Sequence, residues 1–295
     1  MPQSAIIGLV PTKSVDVPVD AVFIALFIAL AASHMTLFRR NLSRGHKFLF
    51  NAMLFGFSMS RIVANVMRLA WAFRPHNVDI QLVATIFLNA GILLVYIINN
   101  LLTWRLIRSR IPSFGWNRIP RTIYKAQLWL VLPTIIMVIV IIVVSIKAPT
   151  PYRSLVMTEI SRFAQTYFLV LAVQPLILLP VALLWPTQEP RDDFGEGSFN
   201  TKAVILLVST TLASVEAVFR AATTWEPARP ATNPAWYHSK PAFYCFNFGI
   251  DILILTFLLF MRIDKRFWVP NKANGPGSYS QPVKETKARE SSDLE

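Results

Sequence analysis

The stretch AQLWLVLPTIIMVIVIIVVSI, Ala126–Ile146, runs for 21 residues without a formal charge. A helix crosses the hydrocarbon of a bilayer in roughly 20 apolar residues. Six further segments read the same way: Pro18–Phe38, Phe48–Phe73, Ile80–Trp104, Leu155–Trp185, Ala203–Thr224 and Phe243–Met261. Lipid offers no partners to a peptide group, so each crossing must satisfy its own backbone, as a helix does. The expected fold is therefore all-α, a polytopic membrane bundle of seven transmembrane helices over residues 18–261. Composition agrees, since 15% of the 295 residues are charged against about 25% in soluble domains. The fifth segment is over-long for one crossing, which implies tilt or first turns outside the hydrocarbon.

Lys and Arg set the expected orientation, because cytosolic loops retain positive charge. With the N-terminus outside, the cytosolic loops and tail carry 19 basic residues and the outer ones 6. Residues 1–17 are then a short extracytosolic or lumenal N-terminus, the first helix is retained rather than cleaved, and the C-terminus is cytosolic. The sequon at Asn41 faces the cytosol and is not glycosylated. Trp71, Trp225 and Trp236 mark the outer edge, and Trp104, Trp185 and Trp268 the inner one. The net charge of +13 sits at span ends, so it orients the protein and does not point to nucleic acid. The tail over 271–295, rich in Gly, Pro, Ser and charge, is expected to be disordered. The loop TQEPRDDFGEGSFNTK reads as a plain surface loop.

Several chemistries are excluded. The four histidines are dispersed without metal-ligand spacing, so no metal is expected. Cys245, the one cysteine, is expected to be a buried free thiol. No span carries a lysine for a Schiff base, and no phosphate loop or nucleophile elbow is present. No cofactor is called for. His34 reads as a histidine at a helix contact.

Beyond the first turn of each span, seven Arg, Asp and Glu residues remain: Arg61, Arg68, Arg162, Arg220, Glu159, Glu216 and Asp251. A charge facing lipid costs about 2.5–3.5 kcal/mol on insertion scales, so these side chains should face each other or a watery cavity. Counting residues from the span ends places all of them in the outer half, together with Asn65, Asn89 and Asn247. The expectation is one polar chamber at one level, shared by at least five helices and opening outward. Two readings stay open. One is a charge network that holds helices in register; the other is a ligand site, with Arg61, Asn65, Arg68, Asn89, Glu159, Arg162, Arg220 and Asn247 as binding residues. Four arginines against three acids lean toward an anionic or carbonyl-bearing ligand.

Two blocks carry a family likeness. RIVANVMRLAWAFRPHNVDIQLVATIFLNAGILLVYIINNLLTWRLIRSRIPSFGW and FRAATTWEPARPATNPAWYHSKPAFYCFNFGIDILILTFLLFMRIDKRFWVPN together resemble a family of fungal seven-span membrane proteins of unknown function. That family looks to carry a glutamate where this chain has Asp251. The resemblance implies the fold and a fungal source, and no catalytic residue. The chain is less similar to fungal lipid-translocating exporters, and resembles small membrane-bound terpene cyclases in size and span number only.

Two functions follow as expectations. The first is a non-enzymatic protein of the plasma membrane or endoplasmic reticulum that binds an amphipathic small molecule, for transport, lipid handling or sensing. Its arginines would meet the polar end, and basic cytosolic loops would meet anionic lipid headgroups. A tie to fungal secondary metabolism goes with the resemblance. The alternative is a membrane-embedded cyclase or isomerase of a terpenoid or polyketide pathway. There a buried carboxyl, Glu216 or Asp251, would act as the acid, and Phe219, Tyr244 and Phe248 would face a developing cation.

Overall fold

The computed structural model describes residues 5–147, 150–271 and 273–280. Seven helical segments are long and apolar enough to cross a membrane, and they form a seven-span membrane bundle. The first span is α1 (Asp16–Ser43) and the second α2 (Leu49–Phe73). The third is broken into α3 (Val78–Ala90) and α4 (Leu93–Arg110). After a short α5 (Pro112–Gly115), the fourth consists of α6 (Arg118–Trp129) and α7 (Val131–Lys147). The fifth is α8 (Pro151–Leu184), the sixth α9 (Phe199–Trp225). The seventh combines α10 (Lys240–Phe243), a π-helical turn (Tyr244–Gly249) and α11 (Ile250–Phe260), and a last turn, α12 (Ile263–Arg266), follows it.

The helices start and stop for local reasons. Asn77, Asn117, Thr150 and Ser198 precede α3, α6, α8 and α9, and each side chain accepts from a backbone N–H of the first turn, the bond that satisfies an orphan helix donor. Gly91 interrupts the third span where it crosses α2. A Cβ there would stand 2.4 Å from the Ser60 hydroxyl, so a larger residue would have to push that side chain aside.

Packing sorts the spans by environment. α9 lies at the centre, against α8, α4 and α11, and α1 packs along α2. Apolar side chains such as Val22, Leu26, Ile136, Val140, Ile177 and Leu253 are exposed along the spans, as a bilayer requires and water would penalise. Cys245 is exposed as well, contrary to the expected buried thiol. The seventh span turns Tyr244, Asn247, Phe248 and Asp251 inward, and Cys245 lies on the other face.

Odd-numbered spans begin, and even-numbered spans end, at the face of the bundle that carries the N-terminus. There the chain before α1 folds across the helix ends. The Ala5 N–H donates to the Arg229 carbonyl (2.8 Å), and the Gly8 N–H to that of His238 (3.0 Å). At the opposite face the loop over 185–198 is a packed element rather than the expected plain surface loop. Phe194 and Asp192 are buried, and the Lys202 ammonium donates to the Phe194 carbonyl. Gly195 has φ +57°, and a Cβ on it would meet the Arg266 carbonyl oxygen at 2.2 Å. Residues 273–280 belong to the segment expected to be disordered, yet they dock on this loop. The N–H groups of Tyr279 and Ser280 donate to the Asp192 carboxylate at 3.2 and 2.9 Å. The rest of that tail, 281–295, lies outside the described residues.

Candidate functional site

Four spans meet at Arg61. It is fully buried on α2, with Nε 2.6 Å from Asp251 Oδ2 on α11 and Nη2 3.5 Å from Glu216 Oε1 on α9. Its Nη1 donates to the Leu88 carbonyl at 2.6 Å. Arg220, one turn beyond Glu216, pairs with the same Oε1 at 2.9 Å. It also donates to Asn89 Oδ1 (3.3 Å) and to the Leu88 carbonyl (3.2 Å). The break between α3 and α4 lies just past this carbonyl, which serves two guanidinium groups. Two arginines thus face two acids at the crossing of four spans. Phe57 and Phe248 flank the Arg61 guanidinium at 5.1 and 5.8 Å.

A second cluster is built on Arg68. Its Nη2 donates to the Gly8 carbonyl (2.7 Å) and to Asp16 Oδ1 (2.8 Å), and its Nε to the Tyr244 hydroxyl (3.3 Å). Lys240 pairs with the other Asp16 oxygen. The Tyr244 hydroxyl lies 2.9 Å from Asp16 and 2.8 Å from Asp20; with one hydrogen it serves one carboxylate at a time. Gly8 has φ +81°, and a Cβ there would sit 2.6 Å from the Phe243 ring.

The expected single level divides in two. Arg61 and Arg68 are seven residues apart on one helix, about 10 Å along its axis. The sequence reading also missed half of the second cluster. Asp16 and Asp20 are both fully buried, and their i, i+4 spacing at the start of the first span was the available signal. Nothing local marks Gly8, whose part is played by a carbonyl. Glu159 and Arg162 belong to neither cluster. They pair with each other at 2.7 Å on the early turns of the long α8, with Glu159 68% exposed. Asn65 is buried beside Arg61 but donates to the Arg61 carbonyl of its own helix.

Between the clusters, toward the N-terminal face, lies a cleft of about 360 Å³. Arg68, Arg220, Asn89 and Asn247 form its polar wall, and Ile141, Ile142, Phe219 and Phe248 much of its apolar one. Neither Glu216 nor Asp251 lines it. Both acids stand behind the arginines, so the expectation that they face a common chamber is not met. Arg68 Nη1 has no hydrogen-bond partner among the described residues. A second cleft of about 410 Å³ adjoins the first, sharing Ile7, Ser161, Thr223 and Thr224, and this outer space contains Arg162. Among the described residues no group of His, Cys, Asp or Glu is placed to hold a metal.

A family model described as a protein of unknown function (DUF3112) matches residues 187–268. The stretch covers the packed loop, the sixth and seventh spans and α12; it takes in most of the second block of family likeness and none of the first. No curated protein and no solved structure matches the chain. The protein is a multi-pass membrane protein whose last two spans, with the loop before them, are similar to a family of unknown function.

Proposed function

We propose that this protein binds an amphipathic molecule with an anionic or carbonyl head in the cleft at its N-terminal face, as a transporter, lipid-handling protein or sensor. The observation that carries this reading is the cleft's polar lining, in which two arginines stand among amides and hydroxyls with no carboxylate among the described residues. Arg68 and Arg220 meet the head, and the isoleucine and phenylalanine wall holds the apolar part. By the loop-charge bias this face is the non-cytosolic one.

The two sequence readings then divide the site between them. The Arg61–Glu216–Asp251 group is closed and fully buried, which suits holding three spans in register. The cleft beside it is the place for a ligand. This geometry favours binding over cyclase chemistry, since an acid catalyst must reach its substrate, and both candidate acids are ion-paired outside the lining.

The test uses a fluorescent long-chain carboxylate and its methyl ester with the purified protein. The carboxylate should bind about tenfold tighter, the worth of one charge-assisted hydrogen bond. Thr223→Phe, which fills the cleft from α9 and removes a hydroxyl bonded only within its own helix, should abolish binding and leave folding intact. Equal binding of acid and ester assigns the carbonyl rather than the charge as the recognised group; binding of neither probe, or undiminished binding by Thr223→Phe, rejects the proposal.

A further inference from the structure

The opposite face of the bundle holds a different cavity. It measures about 260 Å³, between the residues just before α2, the end of α4 and the C-terminal residues 268–271, 273 and 279. Lys47, Arg105 and Arg108 line it, and among the described residues no carboxylate does. None of the three forms an ion pair among the described residues.

Both guanidinium groups are held in place by other means. Arg105 stacks over Phe50 at 4.7 Å and donates to the Phe267 carbonyl at 2.5 Å. Arg108 stacks over Trp116 at 4.4 Å and donates to the Gly115 carbonyl at 3.3 Å. Each thus spends one nitrogen on a backbone oxygen and keeps the rest of its charge uncompensated. The third wall is fixed too, by the Asp192 bonds to Tyr279 and Ser280 and by Asn271 donating to the Gly45 carbonyl at 3.0 Å.

Two immobilised guanidinium groups on α4 and the exposed Lys47 just before α2 converge on one small cavity, none of them ion-paired among the described residues, and Arg is suited to the fork-like recognition of phosphate. We infer that this cavity is a binding site for a phosphate monoester, carried by an anionic lipid headgroup or by a soluble phosphate compound. Its volume is below the usual range for drug-sized ligands and suits a headgroup. Arg105 and Arg108 lie within about two turns of the end of their helix, the level at which headgroups sit. The site is separate from the cleft at the N-terminal face and does not depend on it.

The probes are dihexanoyl phosphatidate, inorganic phosphate and, as control, dihexanoyl phosphatidylcholine, titrated against the full-length protein in detergent with thermal unfolding as readout. Phosphatidate should stabilise the protein and phosphatidylcholine should not. Lys47→Gln and Arg108→Gln should each weaken phosphatidate binding about tenfold. Stabilisation by phosphatidate alone assigns the site to a lipid headgroup. Stabilisation by inorganic phosphate as well, lost in the same variants, assigns it to a soluble phosphate compound. The inference is overturned if neither phosphate probe binds, if phosphatidylcholine binds equally, or if both variants bind as the parent does. Lys47 is exposed, so Lys47→Gln carries the test should Arg108→Gln fold poorly.

Discussion

Two groups of arginines, one toward each end of the bundle, are held in opposite ways. Toward the N-terminal face, Arg61, Arg68 and Arg220 each face a buried carboxylate, and the backbone carbonyls of Leu88 and Gly8 take up further N–H groups. Toward the other face, Arg105 and Arg108 rest on aromatic rings and single carbonyls, with no acid paired to them among the described residues. Depth explains the difference. A charge within the bundle has no water to turn to and must be matched. A charge at the helix end can reach the headgroup layer and is free to meet a ligand.

If that account is right, substitutions at the matched end should cost most. Arg61→Leu leaves Glu216 without one partner and Asp251 without its close one, and should destabilise by about 3–5 kcal/mol, the usual cost of breaking a buried pair. Loss of folded protein in detergent-based unfolding would show it. Adding Asp251→Asn, which leaves the Glu216–Arg220 pair in place, should recover much of the loss; no recovery would mean that Arg61 acts through packing instead.

Tyr244→Phe removes a hydroxyl in contact with Asp16, Asp20 and Arg68. A cost of about 1–3 kcal/mol is expected in the same measurement. Asp264, beyond the last span, gives a smaller effect with a pH signature. Burial raises its pKa, but the hydrogen bonds from Arg262 and Asn41 outweigh that and hold the carboxyl below its ordinary value of 3.8. A depressed carboxylate stabilises above its unfolded pKa and loses that contribution as pH falls through the folded one. Asp264→Asn should therefore cost about 1 kcal/mol at neutral pH and flatten the acid limb of the stability curve below about pH 4.

Arg162→Gln breaks a pair whose acid is largely exposed and should cost less than about 1 kcal/mol. Smallest of all, Lys47→Gln should change stability by no more than about 0.5 kcal/mol. A large loss at Lys47, or none at Arg61, would erase the contrast between the ends.

The spans were legible because hydrophobic length is a local property. Each structural span includes the core of its sequence segment, with ends shifted by a few residues where caps and charged turns extend the helix. Glu216 with Arg220 was legible for the same reason, as an i, i+4 pair on one helix. The partners of Arg61 were not. Its contacts come from three other spans, and one is the backbone carbonyl of Leu88. Glu159 and Arg162 misled because depth was counted from an assumed span end, and α8 is longer than one crossing. Asp20 lay two residues inside the first predicted span and was not counted among the buried charges.

From its sequence alone this chain had to be a seven-helix membrane protein, because the cost of exposing apolar surface to water, and peptide groups to lipid, adds up residue by residue along each segment. Tertiary structure alone decided which charges close into networks and which line a cavity. Ion pairing in a low-dielectric interior turns on ångström distances between side chains far apart in the chain, and no run of adjacent residues encodes those distances.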